Sequence, residues 1–172
     1  VFDDGAGAAL YAGGYFSSPA DRIAKWDGSS WSGLGSGIID GTVFALQAFD
    51  DGGGPALYVG GFFGSAGGAP ASMIAKWDAV RWSALGSGVN QFVFALSPYD
   101  DGGGAALYVG GGFTDVGGMP ARRFAKWDGS SWSAFGSGLS APVQSLAVHD
   151  DGGGAALYVG GNFVSKAGVP MK

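Results

Sequence analysis

DDGGGAALYVGG stands at residues 100–111 and again, unchanged, at 150–161, with DDGAGAALYAGG at 3–14 and DDGGGPALYVGG at 50–61 as near copies. Its parts have opposite preferences. Asp-Asp-Gly-Gly-Gly is turn chemistry, in which Asp accepts local backbone hydrogen bonds and Gly supplies positive φ. Leu-Tyr-Val is a short strand, and the glycine pair after it removes side chains where another group comes close. A turn followed by a strand reads as one arm of a β-hairpin, so the stretch predicts four hairpins.

The Asp pairs begin at Asp3, Asp50, Asp100 and Asp150, with spacings of 47, 50 and 50. A repeat near 50 residues indicates a stacked or radial array of one supersecondary unit. Residues 43–92 and 93–142 share 30 of 50 positions without a gap, so the unit is closely copied. Each unit holds four strand signals, in the second VFALQAF (43–49), LYVGGFF (57–63), MIAKWD (73–78) and RWSALGS (81–87). The first, an apolar run bounded by turn residues, reads as a strand buried on both faces. DDGGG and WDGSSW are the tight turns, and FTDVGGMPARR (113–123) reads as an ordered loop. No helical period is present. The expected fold is all-β, built from β-propeller blades of four antiparallel strands. The units are 1–42, 43–92 and 93–142, with two strands of a fourth in 143–172, about 3.5 blades of roughly 50 residues.

Composition narrows the class of work. The chain has 172 residues, 47% of them hydrophobic, and 36 glycines, about three times ordinary usage. Only 13% are charged and the net charge is −5 with no basic block, which disfavours nucleic acid and anionic membranes as partners. No apolar run is long enough for membrane insertion as a helix. Without cysteine there is no thiolate metal site, no disulfide and no cysteine nucleophile.

LYVGGGFTDVGGMPARRFAKWDGSSW (107–132) resembles kelch-type propeller blades and bacterial repeats built from a double-glycine strand, an FT..GG.P loop and an IA+WDG strand. It is also similar to repeats of fungal cell-surface polarity proteins. The resemblance covers essentially the whole chain. It implies that the VFAL run is the innermost strand lining a channel, that the Trp strand is outermost, and that the protein works outside the cell or at its surface. The Trp-Asp dipeptides lack the Gly-His partner of WD repeats. Three and a half blades fall below a closed ring, so the chain is expected to belong to a larger ring or assembly, through a longer polypeptide or through copies that complete one another.

Candidate sites follow from recurrence. Lys25, Lys76 and Lys126 each precede a tryptophan, Trp26, Trp77 and Trp127, and a ring of these pairs could bind carbohydrate or acidic groups, the rings stacking on sugar and the lysines donating hydrogen bonds. The competing role is packing between blades, with lysine stems laid over the rings. Trp31, Trp82 and Trp132 are expected between blades. The loops before the third strand vary most, SSPADR being about four residues shorter than its equivalents, and Arg122 and Arg123 place a small basic spot in one of them. The Asp pairs are hairpin turns before they are a calcium site, because a calcium loop spreads its ligands over about a dozen residues. His149 has Phe49 and Tyr99 as counterparts and no nucleophile motif beside it. Copper-radical oxidation, known among kelch-like propellers, needs cysteine. No catalytic residue, metal or cofactor is therefore expected. The reading is a non-catalytic structural module with protein partners or self-assembly, and the alternative is a multivalent carbohydrate-binding propeller.

Overall fold

A computed structural model gives the fold and describes residues 1–163. Strands and turns make up the described chain, without a helix. The first unit contributes β1 (Phe2–Asp3), β2 (Ala8–Gly13), β3 (Ile23–Trp26) and β4 (Trp31–Gly33). In the second, β5 (Thr42–Asp50) and β6 (Pro55–Phe62) are followed by the short β7 (Ser65–Ala66) and β8 (Ala69–Pro70), then β9 (Ile74–Trp77) and β10 (Trp82–Ala84). The third repeats this as β11 (Val93–Asp100), β12 (Ala105–Gly111), β13 (Asp115–Val116), β14 (Met119–Pro120), β15 (Phe124–Trp127) and β16 (Trp132–Ala134). Then come β17 (Val143–Asp150) and β18 (Ala155–Gly161).

These strands form three antiparallel four-stranded sheets, β1-β2-β3-β4, β5-β6-β9-β10 and β11-β12-β15-β16, and the two-stranded sheet β17-β18. The expected order of four antiparallel strands is met in the first three units, and the fourth strands are shorter than their apolar stretches. Two details differ from the sequence reading. The loop at 113–123 contains the ribbon β13-β14, and β7-β8 matches it in the second unit. The inner strand is also not evenly buried, since Phe44 is 46% exposed. A bulge causes this: the β5-β6 register slips between Val43 and Ala45, and the extra residue leaves the pleat. The same slip occurs at Phe94 and Gln144.

Register sorts the side chains into two faces. Leu57, Trp77 and Trp82 lie opposite one another on one face, and Tyr58, Lys76 and Ser83 on the other. The Tyr face of each sheet packs on the Trp face of the next. Tyr11, Ile23 and Leu34 meet Leu57, Val59 and Trp77 in one core, and Tyr58, Ile74 and Leu85 meet Leu107, Val109, Trp127 and Trp132 in the next. Tyr108, Phe124 and Leu139 face Val143, Leu157 and Val159 in a third. The core is thus a series of layers between sheets, each side chain such as Val109 being worth about 1.5–3 kcal/mol when fully buried.

The paired glycines are essential to this stacking. A Cβ on Gly60 would lie 2.4 Å from Val93 Cγ1, and one on Gly110 would lie 2.4 Å from Val143 Cγ1. The valine that opens each inner strand thus seats in a notch of the preceding sheet. The second glycine faces backbone instead: a Cβ on Gly61 would meet Thr42 O.

Candidate binding surface

Each DDGGG turn is closed by its own carboxylates. Asp50 Oδ1 accepts the N–H groups of Gly52 and Gly54 at 2.9 and 3.0 Å, and Asp51 Oδ1 accepts that of Gly53 at 3.0 Å. Asp100, Asp101, Asp150 and Asp151 repeat the pattern. Among the described residues no three His, Cys, Asp or Glu side chains converge as a metal site.

The second aspartate has a further task. Asp51 Oδ2 accepts Tyr58 Oη–H at 2.5 Å and Lys76 Nζ–H at 2.7 Å. Asp101 does the same with Tyr108 at 2.8 Å and Lys126 at 2.7 Å, and Asp4 with Tyr11 and Lys25 at 2.9 and 2.5 Å. Burial raises the Tyr58 and Tyr108 pKa values, and the adjacent carboxylate raises them further. The lysine and tyrosine hydrogen bonds hold Asp101 down to about 2. For Asp51 burial acts upward, but its bonds to Lys76, Tyr58 and Gly53 outweigh it and the carboxyl is lowered. Lysine, aspartate and tyrosine therefore form a satisfied ionic triad between the inner hairpin and the third strand. The Asp51–Tyr58 spacing of seven residues across the turn was the available sequence signal, and only the lysine recurrence was read.

The triads decide what the expected lysine–tryptophan ring looks like in space. Neighbouring residues on a strand point to opposite faces. Lys25, Lys76 and Lys126 accordingly lie with the tyrosines, whereas Trp26, Trp77 and Trp127 lie on the other face with Trp31, Trp82 and Trp132. Trp77 and Trp127 are 7% and 8% exposed and sit in the layers between sheets. The partner tryptophans join the units directly: Trp82 Nε1–H donates to Leu34 O at 2.8 Å, and Trp132 Nε1–H to Leu85 O at 2.9 Å. In the first sheet no preceding layer is described, and Trp31 is 40% exposed.

The two arginines also separate. Arg122 is exposed, while Arg123 is half-buried at φ 72° with its N–H bonded to Phe113 O. Its Nε is buried without a hydrogen-bond partner, whereas the corresponding Arg22 Nε donates to Gly41 O at 2.8 Å. Only Arg122 remains a solvent-facing basic group at this place.

Two surface features were not read from sequence. Phe44, Phe62, Phe92 and Phe94 form an aromatic stripe across the second and third sheets, with ring centroids 4.9–5.8 Å apart. Bulges turn Phe44 and Phe94 into it, and Phe62 is 47% exposed. The second is an open recess of about 470 Å³ in the first unit, lined by Ala6, Gly7, Lys25, Asp27 and Ser32 among others. Neither feature brings together an activated nucleophile and a base.

No protein-family model, curated protein or solved structure matches this chain.

Proposed function

We propose that this protein is a non-catalytic assembly module made of propeller blades, whose repeated faces bind further units of the same kind. The observation that carries the reading is the threefold recurrence of one junction. At each, a valine seats in the preceding glycine notch, at Gly13, Gly60 and Gly110. A surface used three times within a chain is complementary to itself in a head-to-tail sense, and heterologous contacts of that kind generate rings or filaments. Inner strands toward an axis and Trp strands outward is the propeller arrangement that the bulged phenylalanines support. Placement outside the cell or at its surface follows from the kelch-like resemblance.

Sedimentation across a wide concentration range tests this. Discrete rings or growing oligomers are expected, and a monomer at every concentration would overturn the proposal. A second reading, carbohydrate binding, has the recess beside Lys25, Asp27 and Ser32 in its favour. It requires glycan-array binding that Ser32→Trp abolishes, and a blank array would end it.

A further inference from the structure

The four-stranded sheets have two unlike ends. At the turn end Asp50 pairs with Pro55 and Trp77 with Trp82. At the other end Thr42 pairs with Phe62 and Gly60 with Ile74, and there lie the links that join one unit to the next (34–41 and 85–92) and the ribbons β7-β8 and β13-β14. Units stack with like ends together. Phe62 of the second meets Phe92 of the third at the link end, and at the turn end a Cβ on Gly129 of the third would lie 2.6 Å from Asp51 O of the second.

Charge and apolar surface divide between these ends. The turn end holds the four Asp-Asp pairs and the three Trp-Asp aspartates, eleven of the fourteen carboxylates, against Lys25, Lys76, Lys126 and Arg81. Among the described residues the link end holds three aspartates, Asp21, Asp40 and Asp115, and three arginines, Arg22, Arg122 and Arg123, so its charges balance. It also carries the phenylalanine stripe, in which Phe62 is half exposed, and Ile39 in the first link, 55% exposed.

Further units of the array stack on Tyr or Trp faces and not on strand ends, and Phe62 and Phe92 lie in the second and third units with packed layers to either side. The backbone under the rings is fixed, since Phe62 is in register with Thr42 and Phe92 O accepts Gly112 N–H at 2.9 Å. Contact area on fixed strands needs little ordering on association. Polar groups rim it: Asp40 accepts Gly64 N–H and Ser65 Oγ–H, and the Asn90 amide donates to Thr114 and Asp115. An apolar patch with a polar rim marks an interaction surface.

The surface that fits this end is its own copy. A turn end would lay carboxylates on phenylalanine and strip them of water, and two turn ends repel one another. Two link ends bring rings against rings, and because each rim carries both carboxylates and guanidinium groups, a two-fold axis can set acid against arginine.

We propose that the link end is a self-docking surface, on which a second copy of this chain binds through the same end with the two phenylalanine stripes facing across a two-fold axis. This contact is separate from the side-by-side stacking proposed above, and it doubles such stacks without lengthening them.

The repeat itself supplies variants that keep the fold, because other units hold polar residues at the same places: Asn162 for Phe62, Thr42 for Phe92 and Gln144 for Phe94. The full chain carrying Phe62→Asn, Phe92→Thr and Phe94→Gln is expected to keep the wild-type far-ultraviolet circular dichroism and to pair at least tenfold more weakly by sedimentation equilibrium. In the wild type, raising concentration is expected to slow amide exchange at 39–44, 62–65 and 90–94. If the chain associates, the variant associates equally well and the slowed amides lie elsewhere, pairing through the link end is wrong and the side-by-side reading stands. If association stops at a dimer that the variant abolishes, this pairing stands and the side-by-side reading falls. A monomer at every concentration overturns both, and binding to phosphatidylcholine vesicles or to a polysaccharide that the variant loses then names the occupant of the stripe instead.

Discussion

Ala79 sits at φ 77°, in the place that Gly28 and Gly129 hold in the equivalent turns. A side chain there crowds its own backbone, at about 1–2 kcal/mol for an ordinary residue in the left-handed region. Glycine loses more chain entropy on folding, which offsets part of the gain. Ala79→Gly is therefore expected to stabilise the protein by roughly 0.5–1 kcal/mol, read as a higher urea midpoint. Gly110→Ala works in the other direction, because Val143 is fully buried and its Cγ1 has no room to retreat. A loss of about 1–3 kcal/mol is expected from overpacking. The turn glycines were legible in the sequence from their neighbours. The notch was legible only as a need for closeness, because the valine that fills it lies 30–33 residues downstream.

At the level of elements, the outer hairpins show how position in the array changes the value of one residue. Trp132 is 7% exposed and bonded to Leu85 O, whereas Trp31 is 40% exposed and has no layer before it among the described residues. Trp132→Phe removes the indole hydrogen bond to Leu85 O, which keeps its bond from Gly88 N–H, and with the lost ring area is expected to cost about 1 kcal/mol. The same change at Trp31 is expected to shift stability by less than about 0.5 kcal/mol. Thermal unfolding of the two variants side by side checks the contrast. From sequence the two tryptophans look alike, since each follows the same turn. What separates them is the sheet in front, which no local pattern records. The inner strands teach a related lesson: VFAL reads as a uniformly buried run, yet a one-residue bulge sends its phenylalanine outward.

For the whole molecule, three ionic triads bind inner hairpins to third strands, and they make stability depend on acid. A carboxylate whose folded pKa lies below its unfolded value stabilises the fold fully above the unfolded value, and that contribution disappears as pH falls toward the folded one. The Lys126 and Tyr108 hydrogen bonds lower Asp101 from 3.8 to about 2; burial pushes Asp4 and Asp51 up, but their bonds to lysine, tyrosine and a turn N–H together outweigh it and both are lowered. Stability is therefore expected to fall between about pH 4 and pH 2 and to lack this slope near neutrality. Lys126→Met is expected to flatten that acid limb, as measured by urea midpoints along a pH series. Lys76→Met should do so with a larger loss at neutral pH, because Asp51 is the more deeply set carboxylate, its side chain 7% exposed against 31% for Asp101.

By itself the sequence determined the all-β class, the period, the four strands of each unit and the turns between them. These are local properties: Gly and Asp close a turn, and alternation along a strand sets its faces, whatever lies beyond. The same alternation already implied that lysine and tryptophan, adjacent in the chain, part to opposite faces. Only the tertiary structure decided which face meets which sheet, that Asp51, Tyr58 and Lys76 join in one triad, and that the valines seat in glycine notches. Those outcomes depend on groups tens of residues apart, brought together by burial of the layers between sheets.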